Sequence, residues 1–233
     1  MTGMLASTTS WTARRGALEA YFDRTAHDAW AALTSDAKVS RVRATVRAGR
    51  ERMRDLLLSW LPTDLRGARL LDAGCGTGAL ALAAAARGAE VVAVDISPRL
   101  VQLAAERAAG QPGAQRIRWV PGDMLDPALG AFDMAVAMDS LIHYAPDDMA
   151  AATAALARRA SLGALVTFAP ATPLLRAMHA AGRLFPRGDR SPAIVPVARD
   201  RLVARLAAMG LRPGRDERVA SGFYTSHALE VAA

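Results

Sequence analysis

The stretch "LLDAGCGTGAL", residues 70–80, constrains this chain more than any other. An apolar run ends in Asp72, and Gly74, Gly76 and Gly78 follow at alternate positions before an alanine-rich segment that reads as a helix. Glycine permits a tight turn and lets the backbone approach a ligand with no Cβ in the way. The spacing is G-x-G-x-G. It is not the G-x-G-x-x-G of dinucleotide enzymes, and no Gly-Lys-Ser/Thr comes after it to make a P-loop. Cys75 inside the loop reads as a small filler rather than a nucleophile.

The segments after the loop set the fold class. Apolar strand-like runs ("AEVVAVDIS", "QRIRWVPGD", "FDMAVAMDS", "GALVTFAP") alternate with helix-like segments. One of these helices has Ser97 at its N-cap and Pro98 at its first turn, both favourable there. Strands apolar on both faces and alternating with helices predict a parallel sheet covered on each side. "LRPGRDERVAS" and "GFYTSHALEVAA" predict a terminal hairpin. Residues 1–66 read as a helical N-terminal cap or arm and residues 67–233 as the α/β domain. A proline- and arginine-rich insertion after the fifth strand, at about 171–196, forms a second cap element.

Charge follows the same division. Residues 1–66 carry 11 basic and 7 acidic side chains, residues 67–170 carry 8 and 10, and residues 171–233 carry 10 and 5. The positive charge therefore sits on the flanks, which suits an anionic ligand, a nucleic acid or an anionic membrane surface. One cysteine excludes a disulfide framework and a cysteine-based zinc site. No apolar stretch approaches the ~20 residues needed to span a bilayer. The expectation is a cytoplasmic protein, at most peripheral at a membrane.

The chemistry-bearing residues fall at predicted strand ends. Asp95 closes the second strand, where a carboxylate can accept both ribose hydroxyls of a nucleoside. Asp123 in "PGDM" can accept from an adenine amino group, with Met124 against the ring. Asp72 ends the first strand, facing the glycine loop. The fourth strand ends in "MDSLIHY", which exposes Asp139, His143 and Tyr144 on a loop.

The succession "DAGCGTG", "VDIS", "GDM" and "MDSLIHY" resembles the class I S-adenosylmethionine-dependent methyltransferases. That resemblance implies a Rossmann-like, mostly parallel seven-stranded sheet whose last strand is antiparallel. It implies S-adenosyl-L-methionine as cofactor, leaving as S-adenosyl-L-homocysteine. The expected cofactor contacts are Asp72, Gly74, Cys75, Gly76, Gly78, Asp95, Ile96, Asp123, Met124, Met138 and Asp139. Asp139 would shape the loop near the methionine amino group.

Beyond this core, "YFDRTAHDAW", "KVSRVRATVRAGRERM", "FAPATPLL", "GRLFPRGDRSP" and "GFYTSHALE" resemble the magnesium-protoporphyrin IX methyltransferase family of bacteriochlorophyll and chlorophyll biosynthesis. The resemblance implies methyl transfer to a propionate of Mg-protoporphyrin IX. Magnesium would enter only with the substrate, and a magnesium chelatase subunit is a possible partner. It carries His143 and Tyr21 over as catalytic residues. Tyr144 would contact the acceptor, and Arg183, Arg187 and Arg190 would clamp the second propionate. Val197 stands where the family carries a histidine, so that segment has no expected catalytic or metal role. Two alternatives share the same core. One is another small-molecule O-methyltransferase acting on a quinone or phenol, with His143 as a true base. The other is an RNA methyltransferase. It is disfavoured because "MDSLIHY" lacks the Pro-Pro-aromatic run that grips a base.

Overall fold

The computed structural model describes residues 2–24, 41–171 and 192–233, with side chains described from Trp11 onward in the first stretch and from Ala44 onward in the second. Seven strands form one sheet: β1 Arg69–Ala73, β2 Glu90–Asp95, β3 Ile117–Pro121, β4 Met134–Ala137, β5 Ala164–Phe168, β6 Arg212–Ser221 and β7 Tyr224–Ala232. Their order is β3-β2-β1-β4-β5-β7-β6. β1 to β5 pair in parallel, and β7 lies antiparallel between β5 and β6. The expected parallel sheet with an antiparallel terminal hairpin is the sheet observed. Strand order reverses between β1 and β4, the switch point where open α/β sheets bind ligands.

Six helices accompany the sheet among the described residues: α1 Thr2–Arg24, α2 Arg41–Trp60, α3 Ala79–Ala86, α4 Pro98–Ala108, α5 Pro146–Arg159 and α6 Arg199–Ala208. The pleat sends alternate residues to opposite faces. On one face Leu71, Ala73, Val92 and Val94 pack with Met149 and Leu156 of α5 and Leu202 and Leu206 of α6. On the other, Leu70, Val91 and Ala93 pack with Met53 and Leu57 of α2 and Leu80 and Ala81 of α3. Each such leucine taken out of water contributes ~1.5–3 kcal/mol. The Ser97 cap forms as expected, with Oγ accepting from the Leu100 amide at 3.3 Å.

The helical preface, expected as one cap, occupies two different environments. Met53, Leu57, Leu58 and Leu61 of α2 are buried in the same cluster as β1 and α3, so α2 is a covering layer of the sheet. α1 instead crosses the carboxyl edge and touches α4 and α5. Its Arg14 Nε donates to the His143 carbonyl at 2.7 Å. Asp23, near its end, accepts from Ser97 Oγ at 3.3 Å and the Arg99 amide at 3.4 Å. A carboxylate is well placed at the start of α4, where helix N–H groups point outward. Of the insertion, residues 172–191 lie outside the described residues. The chain is described again from Pro192 and rejoins the sheet edge through Val195 N to Ile142 O and Val197 N to Ala169 O, both 2.8 Å. Val197 is buried in the core.

α2 meets the hairpin through Gly49. A Cβ added there would lie 2.5 Å from the Tyr224 ring, so only glycine lets the two elements approach this closely. Alanine is the better helix former by ~1 kcal/mol. Gly49→Ala should nevertheless destabilise the protein by ~1–3 kcal/mol, through overpacking. Chemical denaturation monitored by circular dichroism reads this, and a stability gain would show that the contact is soft.

Candidate active site

A cavity of about 480 Å³ opens at the carboxyl edge of β1, β2 and β4. Its floor is the glycine loop. Gly74 has φ 84°, in the left-handed region that favours glycine, and a Cβ there would collide with the Ser140 side chain. Ser140 Oγ in turn donates to the Ala73 carbonyl at 2.8 Å, tying the loops after β1 and β4 together. The Gly74 and Cys75 amides donate to the Val94 carbonyl at 2.8 and 2.9 Å.

The acids divide between cavity and interior. Asp95 lines the cavity and is only 9% exposed. Its Oδ2 accepts from the Gly76 amide at 2.9 Å and its Oδ1 from the Ser97 amide at 3.0 Å. Burial pushes its pKa up, against the pull of these amides. Each oxygen keeps lone-pair capacity for a hydroxyl donor. Asp123 lines the cavity too, but α1 shares it. Arg15 Nη1 and Trp11 Nε1 reach Oδ2 at 2.7 and 3.4 Å, while Oδ1 accepts from the Leu125 amide at 2.9 Å. Gly76, Ile96, Met124, Met138 and Asp139 line the same space.

Three residues expected to contact the cofactor do not line the cavity. Asp72 points into the interior behind the loop, 2% exposed, and its Oδ2 has no hydrogen-bond partner. Burial pushes its carboxyl up to about 7, opposed by a backbone amide at Ala81 and helped by the charge of Asp95. Cys75 packs toward the cluster beneath α2 and α3, and desolvation raises its thiol well above the ordinary value. Gly78 is the left-handed N-cap of α3, pressed against the Trp119 ring. A sequence motif marks all of these positions alike. The backbone conformation of the turn, and what packs behind it, decides which of them face a ligand.

At the other end of the cavity stand His143, Tyr144, Tyr21 and Phe22. Leu141–His143 form a short 3₁₀ turn after β4. His143 is buried, with its Nδ1 3.4 Å from the Ala193 carbonyl. A carbonyl can only accept, so Nδ1 carries the proton and Nε2 is left as an acceptor in the neutral ring. Burial lowers the pKa of His143, and the nearby Arg14 adds to this, against the Ala193 carbonyl. The ring therefore stays neutral at pH 7. Tyr144 stacks on Trp11 with ring centroids 4.1 Å apart, and burial raises the pKa of its hydroxyl. Tyr21 and Phe22 form an edge-to-face pair at 5.3 Å, and Phe22 lies 5.9 Å from the His143 ring.

One arrangement carries no sequence signal. Asp139 is the one non-glycine residue with positive φ (53°) among the described residues. Its carboxylate receives Tyr224 Oη at 3.1 Å, Thr167 Oγ1 at 3.2 Å and Ser226 Oγ at 3.3 Å, and pairs with Arg50 Nη1 at 3.1 Å. Arg50, Tyr224 and Ser226 all line the cavity. Arg50 belongs to a run of arginines whose helical spacing reads as solvent-facing. Tyr224 stands out in the sequence only as an aromatic and as part of the closing "GFYTSHALE" motif. Nothing local to either residue pairs it with Asp139.

Comparison with known proteins bears on what this cavity does. A family profile described as "Magnesium-protoporphyrin IX methyltransferase C-terminus" matches residues 137–233, and one described as "Methyltransferase domain" matches residues 70–162. The magnesium-protoporphyrin O-methyltransferase of Rhodobacter capsulatus is 49% identical over 217 residues, covering 93% of this chain and 95% of that protein. The chain belongs to the magnesium-protoporphyrin methyltransferase family. A Synechocystis member is 29% identical over 218 residues, with 90% and 92% coverage. The crystal structure of magnesium protoporphyrin IX methyltransferase (ChlM) from Synechocystis PCC 6803 with bound SAH superposes with a TM-score of 0.81 at 28% identity, covering 93% of this chain and 98% of that one.

The family's fold is thus the fold seen here. Of the residues expected to act on substrate, His143, Tyr21 and Tyr144 come together in one cavity. Arg183, Arg187 and Arg190 lie outside the described residues.

Asp72 supplies a test of the interior. A carboxyl whose folded pKa is raised to about 7 binds more protons folded than unfolded between the ordinary carboxylate range and pH 7. Its contribution to stability is therefore full at low pH and is lost as pH rises through about 7. Asp72→Asn, which stays neutral, should flatten the decline in unfolding free energy between pH 5 and pH 8. Urea titrations across that range check it, and an unchanged slope would place the effect elsewhere.

Proposed function

We propose that this chain transfers the methyl group of S-adenosyl-L-methionine to a propionate carboxylate of Mg-protoporphyrin IX, giving the monomethyl ester. The observation that carries the reading is the near full-length identity to the Rhodobacter capsulatus magnesium-protoporphyrin O-methyltransferase. The geometry supports it. One cavity joins the glycine loop and Asp95 at one end to His143, Tyr21 and Tyr144 at the other. Magnesium belongs to the porphyrin and is substrate.

The residues fit the cofactor. The backbone of Gly74 and Gly76 lines the cavity, and Asp95 keeps acceptor capacity at the end of β2. Asp95 would hold the ribose, and Ile96, Met124 and Met138 would pack around the nucleoside. Asp123 would take the adenine amino group, in exchange for part of its bond to Arg15. When bound, S-adenosyl-L-methionine supplies an electrophilic methyl group on a sulfonium.

The rest of the work falls to the protein. A propionate is already ionised at pH 7, since carboxylic acids titrate near ~4. It needs desolvation and alignment rather than a strong base. α1 supplies a water-excluding roof, with Trp11, Leu18 and Phe22 over the cavity. The neutral His143 ring offers Nε2 as an acceptor. An acceptor cannot hydrogen-bond an ionised carboxylate, so its use there is to take the proton of a propionic acid that arrives uncharged. Tyr21 offers a hydroxyl from the roof to the acceptor carboxylate. A phenol acceptor would instead make His143 an obligatory base, and the rate would then climb with pH as the phenol ionises.

On the same reading the protein works in the cytoplasm, peripheral at most to a photosynthetic membrane, and receives porphyrin from a magnesium chelatase subunit. The positive flanking segments support such contacts. Co-sedimentation with anionic vesicles and with chelatase subunits tests both.

Purified protein should convert Mg-protoporphyrin IX to its monomethyl ester with S-adenosyl-L-methionine, followed by chromatography. No ester at saturating cofactor would reject the assignment. His143→Phe should lower kcat by ~100-fold or more, while the cofactor Kd stays near the wild-type value. Equal losses in both would make the histidine structural. Because the pKa of His143 is lowered, the wild-type kcat should hold level from pH 8 through pH 7 and decline only on the acid side of the ordinary imidazole range.

A further inference from the structure

Phe223 is the most exposed large hydrophobic side chain among the described residues, at 65%, and it lines the cavity. It occupies the two-residue turn, Gly222-Phe223, between β6 and β7. Tight turns favour glycine, asparagine, aspartate and serine, and an aromatic group there leaves apolar surface in water for no gain in the turn itself. This turn is not a loose tip either. The Phe223 amide donates to Thr45 Oγ1 of α2 at 3.4 Å, and the Gly222 backbone presses on the Thr45 side chain. The next residue, Tyr224, is buried and bonded to Asp139. The ring is thus presented in water from a fixed base. Ile194, another of the few exposed large apolar side chains, lines the same cavity from the segment that carries the His143 partner, Ala193.

We propose that Phe223 is a substrate-positioning platform, on which the flat face of the porphyrin macrocycle rests while one propionate reaches into the cavity. This rests on the porphyrin reading above. A cavity of about 480 Å³ is the size of a site for one drug-sized ligand. It must hold the donor end of the cofactor and the acceptor carboxylate together. With the acceptor carboxylate held beside the donor inside the cavity, the wide flat macrocycle extends from it toward the mouth. An aromatic ring anchored there stacks on a conjugated plane with little entropy to lose, because its backbone is already held. Ile194 extends the apolar rim. The role is one of binding and orientation, with no part in the bond-making step, so it separates from that of His143 in kinetics.

The experiment compares wild type, Phe223→Ala and Phe223→Trp as full-length protein with Mg-protoporphyrin IX as the probe. Binding is read from the Soret shift in the presence of S-adenosyl-L-homocysteine, and turnover from ester formation. Phe223→Ala should raise the porphyrin Kd and KM by about tenfold, leave the KM for S-adenosyl-L-methionine and the melting temperature near wild type, and move kcat little. Phe223→Trp should keep porphyrin affinity near wild type. A Phe223→Ala protein with wild-type porphyrin KM overturns the proposal. So does one that loses binding to anionic vesicles while keeping that KM, since the ring would then be a lipid contact. If wild type itself forms no ester but still binds the porphyrin in a Phe223-dependent way, the catalytic assignment fails while the platform stands.

Discussion

A carboxylate buried at the end of β4 organises the upper half of this molecule. Asp139 is 8% exposed, and an unpaired charge in such a place is costly by several kcal/mol. It survives because three elements bring donors to it. Arg50 comes from α2, Thr167 from β5, and Tyr224 and Ser226 from β7. Tyr224 and Ser226 are two apart on a strand, so the pleat turns both toward the same side. Thr167 acts twice. Its oxygen accepts from the Asp139 amide at 2.7 Å and its hydroxyl donates to the carboxylate, which fixes both backbone and side chain. The left-handed φ of Asp139 costs on the order of 1–3 kcal/mol, a strain that such a set of bonds can hold. Without these donors α2 and the hairpin would lose a polar tie between them, and with it the wall that presents Phe223.

The architecture was legible from sequence because it is carried by short-range regularities. The change from helical to strand periodicity after residue 66, the glycine loop and the Ser97-Pro98 start of α4 are local patterns. Each has one cheap structural solution, and the structure adopts it. The site was legible only in part. Asp95 and Asp123 sit at the ends of consecutive parallel strands, so topology alone brings them to one edge. Asp72, Cys75 and Gly78 share the motif but not the cavity, because orientation within a turn depends on φ and on what packs behind it. The Asp139 cluster was out of reach. Tyr224 lies 85 positions along the chain from its partner, and nothing in the intervening sequence encodes their meeting. α1 shows the limit in another way. Its helix spans Thr2–Arg24, although the early run, rich in threonine and serine, carries no apolar stripe to mark it.

The charge partition seen in the sequence becomes a division of labour in space. The acids that line the cavity, Asp95, Asp123 and Asp139, all stand on the sheet's carboxyl edge, in the segment whose net charge is negative. The cations that line it, Arg15 and Arg50, come from the helices α1 and α2, in the positive N-terminal flank. On the proposed reading the two reactants also differ in sign. A sulfonium donor is drawn to the acidic sheet edge, and a substrate bearing two propionates is drawn to the basic helices. In a desolvated cavity each attraction is stronger than it would be in water, so the two ligands sort to opposite walls by charge before any shape is read. The walls touch at two ion pairs, Arg50 with Asp139 and Arg15 with Asp123. At the second, Arg15 Nη1 and Asp123 Oδ2 lie 2.7 Å apart, which ties α1 to the sheet edge.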